Sequence, residues 1–221
     1  MAISKSDLNG IYLVVDPAMD SSILLQKVYE ALEGGVGILQ IWNHWPDGMQ
    51  EPDKQQLVSY LIEMAADYEV PVFINEEWEL LKSTSLDGVH FDAVPDYFER
   101  IKKEVGRDFI TGITCNNDLD IVKWANDNDM DYVSFCAMFP SPTVESCEIV
   151  DPETVQEARA LTDLPLFLSG GITPDKIDNE LTELDFNGVA VISGILNADA
   201  PGKQTMAYSK AIENHKKRRN N

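Results

Sequence analysis

Eight short apolar runs, set roughly 20–30 residues apart, decide what this chain can fold into. They occupy residues 10–15, 37–42, 71–75, 88–91, 109–114, 132–136, 165–169 and 188–193. Most are apolar throughout instead of alternating with polar residues, as in strands buried on both faces of a parallel sheet. Amphipathic stretches lie between them. Ile23, Leu24, Val28 and Leu32 fall at helical spacing over 21–33, and Leu57, Leu61, Met64 and Ala65 repeat it over 53–68. Segments 117–126 and 151–161 open on Asn and Asp, residue types that cap helices by accepting bonds from unpaired backbone N–H groups. Thr173-Pro174-Asp175 opens another helix, with Pro in its first turn. Gly34-Gly35 and Asp87-Gly88 mark helix exits and tight turns before strands.

Eight strand-then-helix units of about 27 residues close most economically as a single α/β domain, a (β/α)8 TIM barrel. Without a linker or a break in composition, the barrel is predicted over 1–214, followed by a basic, disordered tail at 215–221. An open doubly wound sheet is the alternative. Its first strand would feed a glycine-rich dinucleotide turn, whereas Val15 is followed by Asp16-Pro17.

Charge narrows the partners. The chain has 38 Asp and Glu against 17 Lys and Arg, a formal net charge of −21, and Lys216, Lys217, Arg218 and Arg219 supply four of those bases. Nucleic acid and anionic membranes require a basic face, so both are excluded as partners. Three cysteines (Cys115, Cys136, Cys147) are too few and scattered for a disulfide framework, and they show no zinc-ligand spacing. The polar start does not resemble a signal peptide, and no apolar run approaches bilayer-spanning length. The expectation is a cytoplasmic protein acting on a small phosphorylated molecule, with a homodimer left open.

In such a barrel the chemistry sits at the C-terminal ends of the strands, and a phosphate often binds the loops after strands seven and eight. Strand seven ends in Ser169-Gly170-Gly171-Ile172, and strand eight in Ile192-Ser193-Gly194. Two such loops, each feeding a helix, can offer backbone N–H groups to a phosphate; taken singly, the glycines need only make tight turns. Their occurrence in the right two units favours the phosphate site. The other strand ends carry Gln40, Trp42, His44, Asn75, Glu76, His90, Asp92 and Thr114, with Ser141 and Thr143 after strand six. His90 suits a satisfied core histidine better than a catalytic one. Trp42 and Trp45 suit a stacking wall for a heteroaromatic ring or a hydrophobic lid. Glu76 and Asp92 could hold Mg2+, cap helices or face solvent.

The order of Gln40, Asn75-Glu76, Asp87-Gly88-Val89-His90, Phe139-Pro140-Ser141-Pro142-Thr143, Gly170-Gly171-Ile172 and Val191-Ile192-Ser193 resembles the thiamine-phosphate synthase family and its thiazole tautomerase relatives. The resemblance spans nearly the whole chain. It implies a transferase of thiamine biosynthesis that joins an aminopyrimidine diphosphate to a thiazole phosphate and releases diphosphate with the help of Mg2+. It further implies that the thiazole phosphate lies at Gly171, Ile192 and Ser193 and that Gln40 and Thr114 contact the pyrimidine; Gly170 and Gly194 in the same loops, and Trp42 against the pyrimidine, are expected beside them. Asn75 and Ser141 would contact substrate, Glu76 and Asp92 would bind the metal, and His44 and Thr143 would complete a catalytic set with Gln40 and Thr114.

The chain also departs from the family pattern. Where the family has Gln-x-Arg-x-Lys, Gln40 is followed by Trp42 and His44, and where it has Thr-Lys, Thr143 is followed by Val144. Three cations for a diphosphate are thus replaced, leaving His44 as a pH-dependent substitute. Charge-assisted phosphate contacts contribute about 1.5–3 kcal/mol each. The expectation is therefore a synthase with altered or weak activity. The alternatives are a non-catalytic phosphate-ligand-binding or regulatory homologue, or a different reaction on another phosphorylated heterocycle. The histidine used by thiazole tautomerases falls at Asn116.

Overall fold

The computed structural model describes residues 4–140 and 148–219. Eight parallel strands, β1 (Gly10–Val15), β2 (Ile38–Ile41), β3 (Val72–Asn75), β4 (Gly88–Phe91), β5 (Ile110–Thr114), β6 (Tyr132–Phe135), β7 (Leu166–Ser169) and β8 (Gly188–Val191), close into one barrel in chain order. All eight apolar runs therefore supply a strand, and the barrel expected from their spacing is the one observed. Around it run α1 (Ser21–Glu33), α2 (Glu51–Ala66), α3 (Phe98–Val105), α4 (Leu119–Asp127), α5 (Pro152–Leu161), α6 (Pro174–Asn179), α7 (Ser193–Leu196) and α8 (Pro201–Arg219). Unit three is the exception: the short segment after β3 makes only a 3-10 helix, Trp78–Lys82.

The strands are buried on both sides, and each side has its own task. Outward residues such as Leu13, Leu39, Ile74, Val89, Ile113 and Val133 pack against the helices in the larger apolar cluster. Inward residues Tyr12, Ile38, Phe73, Ile110, Tyr132 and Phe167 fill the interior as a second cluster. One pleat further along, the interior changes character. Ile38 gives way to Gln40, Phe73 to Asn75, Tyr132 to Ser134 and Phe167 to Ser169. Side chains two apart on a strand share a face. The barrel therefore has an apolar floor at its N-terminal end and a polar mouth at its C-terminal end.

Helix caps differ in detail from the sequence expectation. Asp151 caps α5 as predicted, but Asp118, not Asn117, caps α4. Asn117 instead links the two units, donating to the Ile149 carbonyl at 3.0 Å and accepting from the Asp151 N–H at 3.0 Å.

The disordered tail expected from His215 onward is corrected. Helix α8 continues to Arg219, with the His215 ring buried and stacked on Phe186 at a centroid separation of 4.3 Å. His215 Nε2 donates to the Leu184 carbonyl at 3.0 Å, and Arg218 and Arg219 pair with Asp178 and Asp185 at 2.9 and 3.3 Å. The terminal bases complement the negative end of the helix and neighbouring carboxylates. Among the described residues no helix is long and apolar enough to cross a membrane.

Candidate functional site

The polar mouth opens into a cavity of about 900 Å3. One wall is formed by the loops after β7 and β8, where Ser169, Gly170, Gly171, Ile172, Ile192, Ser193 and Gly194 all line the space. Gly170 and Gly171 have φ of +85° and +63°, a region that side chains with a Cβ rarely enter. Bulk is excluded there as well: a Cβ on Gly171 would lie 2.7 Å from the Pro140 carbonyl oxygen. The loop is held from behind. Tyr208 of α8 donates its hydroxyl to the Ile172 carbonyl at 2.8 Å, and Lys176 donates to the Gly171 carbonyl at 2.7 Å while lying 4.0 Å over the Phe139 ring.

The opposite wall carries Gln40, Trp42, Asn75, His90, Asp92, Thr114 and Asn116. Its polar groups form a continuous buried chain. Tyr12 donates to Gln40 Oε1 at 2.5 Å and meets the Tyr132 hydroxyl at 2.6 Å. Tyr132 meets His90 Nδ1 at 3.0 Å, His90 Nε2 meets Thr114 Oγ1 at 2.8 Å, and Thr114 meets Ser134 Oγ at 3.1 Å. Burial pushes the Tyr12 and Tyr132 hydroxyls far above the usual phenol range, so both stay protonated. Burial also lowers His90 to about 4, outweighing the nearby Asp92 charge, so the ring is neutral at pH 7. His90 is buried, as the sequence suggested, yet it also lines the cavity.

Next to this chain, Asn75 Nδ2 donates to Asp92 Oδ1 at 3.0 Å, and the Asp92 N–H donates to Glu76 Oε1 at 2.5 Å. Glu76 sits at φ +60°, just outside the cavity wall. Burial raises its carboxyl, the Asp92 N–H bond opposes that shift, and the Asp92 charge adds to it. Two carboxylates held side by side beside an amide oxygen are hard donors of the kind Mg2+ takes, and Mg2+ commonly uses one or two carboxylates plus substrate phosphates. Glu76, Asp92 and Asn75 fit such an ion in a ligand-bound state. Among the described residues no cluster of three or more His, Cys, Asp or Glu groups could hold a metal without help from substrate.

The other expected positions divide. His44 is outside the cavity wall: its Nδ1 pairs with Asp16 at 3.0 Å, and its ring leans on Trp42 at 4.8 Å. It is turned away because Asp16 holds it. Trp42 lines the cavity, but Trp45 does not. The Trp45 indole donates to Glu77 at 2.9 Å, under the Lys54 ammonium that pairs with the same carboxylate at 2.8 Å. Ser141 and Thr143 lie outside the described residues. No Lys or Arg lines the cavity among the described residues. Tyr12, Ser134, Cys136 and Tyr208 line it without having been foreseen. For Tyr12 and Ser134 no local signal existed: counting by twos marks the inward face only along one strand, and Gln40 and His90 are tied to the other strands by register alone.

With this geometry in place, comparison with known proteins is specific. The family model for thiamine monophosphate synthase matches residues 11–195. A thiamine-phosphate synthase of Azoarcus sp. (strain BH72) is 31% identical over 202 residues, covering 91% of this chain and 96% of that protein. The thiamine-phosphate synthase of Methanobrevibacter smithii is 27% identical over 192 residues, covering 87% and 90%. Among solved structures, a thiamine phosphate pyrophosphorylase from Pyrococcus furiosus superposes with a TM-score of 0.80 at 21% identity, covering 96% of this chain and 98% of that one, which supports the shared fold.

Proposed function

Because the chain belongs to the thiamine monophosphate synthase family, we propose that it catalyses a slow thiamine-phosphate-synthase-like transfer. A thiazole phosphate and an aminopyrimidine diphosphate are joined, and diphosphate leaves. The observation that carries this proposal is a single cavity with one glycine-lined wall facing a wall of Gln40, His90, Thr114 and Asn75. At about 900 Å3 it has room for two small rings together.

The thiazole phosphate rests on the loops carrying Gly171 and Ser193, where side-chain bulk is excluded and backbone N–H groups can meet its oxygens. Gln40 and Thr114 orient the pyrimidine, and Trp42 covers it. This places the thiazole nitrogen for attack on the pyrimidine methylene as the bond to diphosphate breaks, so much of the barrier is met by orientation. Asn75, Glu76 and Asp92 would hold Mg2+, which neutralises charge on the departing diphosphate when bound. Among the described residues the wall lacks Arg and Lys, so the departing charge is stabilised less than in a site that has them. Slow turnover follows from this deficit.

The test is direct. Purified protein with Mg2+, thiazole phosphate and aminopyrimidine diphosphate is expected to form thiamine phosphate and diphosphate at a measurable, low kcat. Complete absence of product at high enzyme concentration, with the thiazole phosphate still bound by calorimetry, defeats the transferase assignment in favour of a binding protein.

A further inference from the structure

We propose that Tyr12, Tyr132 and His90 are positioning residues, forming a one-way hydrogen-bond chain that turns the Gln40 amide so that its N–H groups face the cavity and select a ring presenting an acceptor atom. The ligand half of this proposal rests on the pyrimidine placement above; the chain itself does not.

The direction follows from counting hydrogens. Each tyrosine hydroxyl owns one. Tyr12 gives its hydrogen to Gln40 Oε1 at 2.5 Å, so its 2.6 Å contact with Tyr132 must use the Tyr132 hydrogen. Tyr132 then has none left, so His90 Nδ1, 3.0 Å away, must carry one and donate it. His90 Nε2 continues the chain to Thr114 and Ser134. Reversing a single link would set two hydrogens, or two lone pairs, against each other, so the links can reverse only together.

The rings leave little freedom to break the pattern. Tyr132 is fully buried, and Tyr12, Gln40 and His90 are nearly so. His90 and Tyr132 stack at 5.6 Å with planes 21° apart, and Tyr12 meets Tyr132 edge-on at 5.8 Å. Gly112 makes this possible, because any Cβ there would overlap the Tyr132 ring. At the near end, Gln40 lines the cavity and its oxygen is already taken. Its Nε2 therefore faces the ligand. The matching chemistry is an unprotonated heteroaromatic nitrogen or a carbonyl oxygen; an N–H or amino group at that point would meet another donor.

Two measurements decide the matter. In protein labelled with 15N-histidine, with the His90 signals assigned by their loss in His90→Gln, Nδ1 is expected to carry a hydrogen at neutral pH. A bare Nδ1 with hydrogen on Nε2 would overturn the proposal, since the chain would then run the other way and Gln40 would offer its oxygen. No ligand is involved, so this result is independent of the synthase assignment. The second measurement is calorimetry with an aminopyrimidine phosphate and with analogues in which either ring nitrogen is replaced by CH. One replacement is expected to weaken binding by about 10- to 100-fold in the wild type. Tyr12→Phe and Tyr132→Phe, each breaking the chain at a different link, are expected to bring that ratio below about threefold while thiazole phosphate binding holds. Equal binding of all three compounds by the wild type, or undiminished discrimination by both variants, would overturn the selection. If no aminopyrimidine binds at all, the synthase assignment and the proposed selection both fail, and the histidine spectrum still decides the direction of the chain.

Discussion

At Trp42 a family cation has become an aromatic face on the cavity wall, while at position 44 the replacement is drawn out of the cavity by Asp16. The two positions therefore differ in what restoring charge can achieve. Trp42→Arg is expected to tighten inorganic diphosphate binding in the presence of Mg2+ by about tenfold or more, one charge-assisted contact, measured by calorimetry. His44→Lys alone is expected to gain far less, since Asp16 captures the ammonium.

His90 gives the residue scale a pH signature. Its folded value of about 4 lies below the ordinary 6.5, chiefly because burial disfavours the charged ring. Above about pH 6.5 neither state binds a proton and its contribution is complete. Between pH 6.5 and 4 the unfolded chain takes up the proton first, so stability is lost as pH falls. The loss at this residue is on the order of 3 kcal/mol. Urea denaturation from pH 7.5 to 4 should show a smaller decline in His90→Gln than in the wild type; parallel curves would contradict it.

At the scale of elements, α8, packed beside α6, holds the loop after β7 through a hydrogen bond from Tyr208 to the Ile172 carbonyl. Tyr208→Phe is expected to lower the unfolding midpoint by about 2–4 °C, because one net hydrogen bond of about 1 kcal/mol is lost, and to weaken thiazole phosphate binding, measured by calorimetry, as the unheld loop loosens. The elements themselves differed in how plainly they could be read. Strands were legible because burial on both faces leaves continuous apolar runs, as in Tyr12–Val15 and Val72–Ile74. The exposed end of α8 was not: Lys216 to Arg219 read as solvated tail, and only the folded chain brings Asp178, Asp185 and Phe186 against it. The same limit applies to the site. The glycine loops and Gln40 carry local patterns, whereas Tyr12, Tyr132 and Ser134 gain their meaning from register across strands distant in sequence. Asp16 holding His44 was likewise invisible, because those two residues are on different units.

For the whole molecule, a net charge of −21 opposes the phosphorylated ligands proposed for the cavity. Repulsion slows the approach of a phosphorylated ligand, and salt relieves it. Raising ionic strength from about 10 to 150 mM is expected to increase the association rate of thiazole phosphate by about threefold or more in stopped-flow measurements. A rate that falls with salt would reveal a local positive field at the mouth.

The barrel interior changes from apolar to polar within one pleat, between Phe73 and Asn75 and between Phe167 and Ser169. Folding and chemistry thereby occupy two storeys of one cylinder, joined where the Tyr12 and Tyr132 hydroxyls of the floor reach Gln40 and His90 above. Positions on the upper storey can be exchanged by descent or by design while the lower one continues to close the sheet. A lineage built this way can lose its charged residues, wait, and acquire a new preference without passing through an unfolded ancestor.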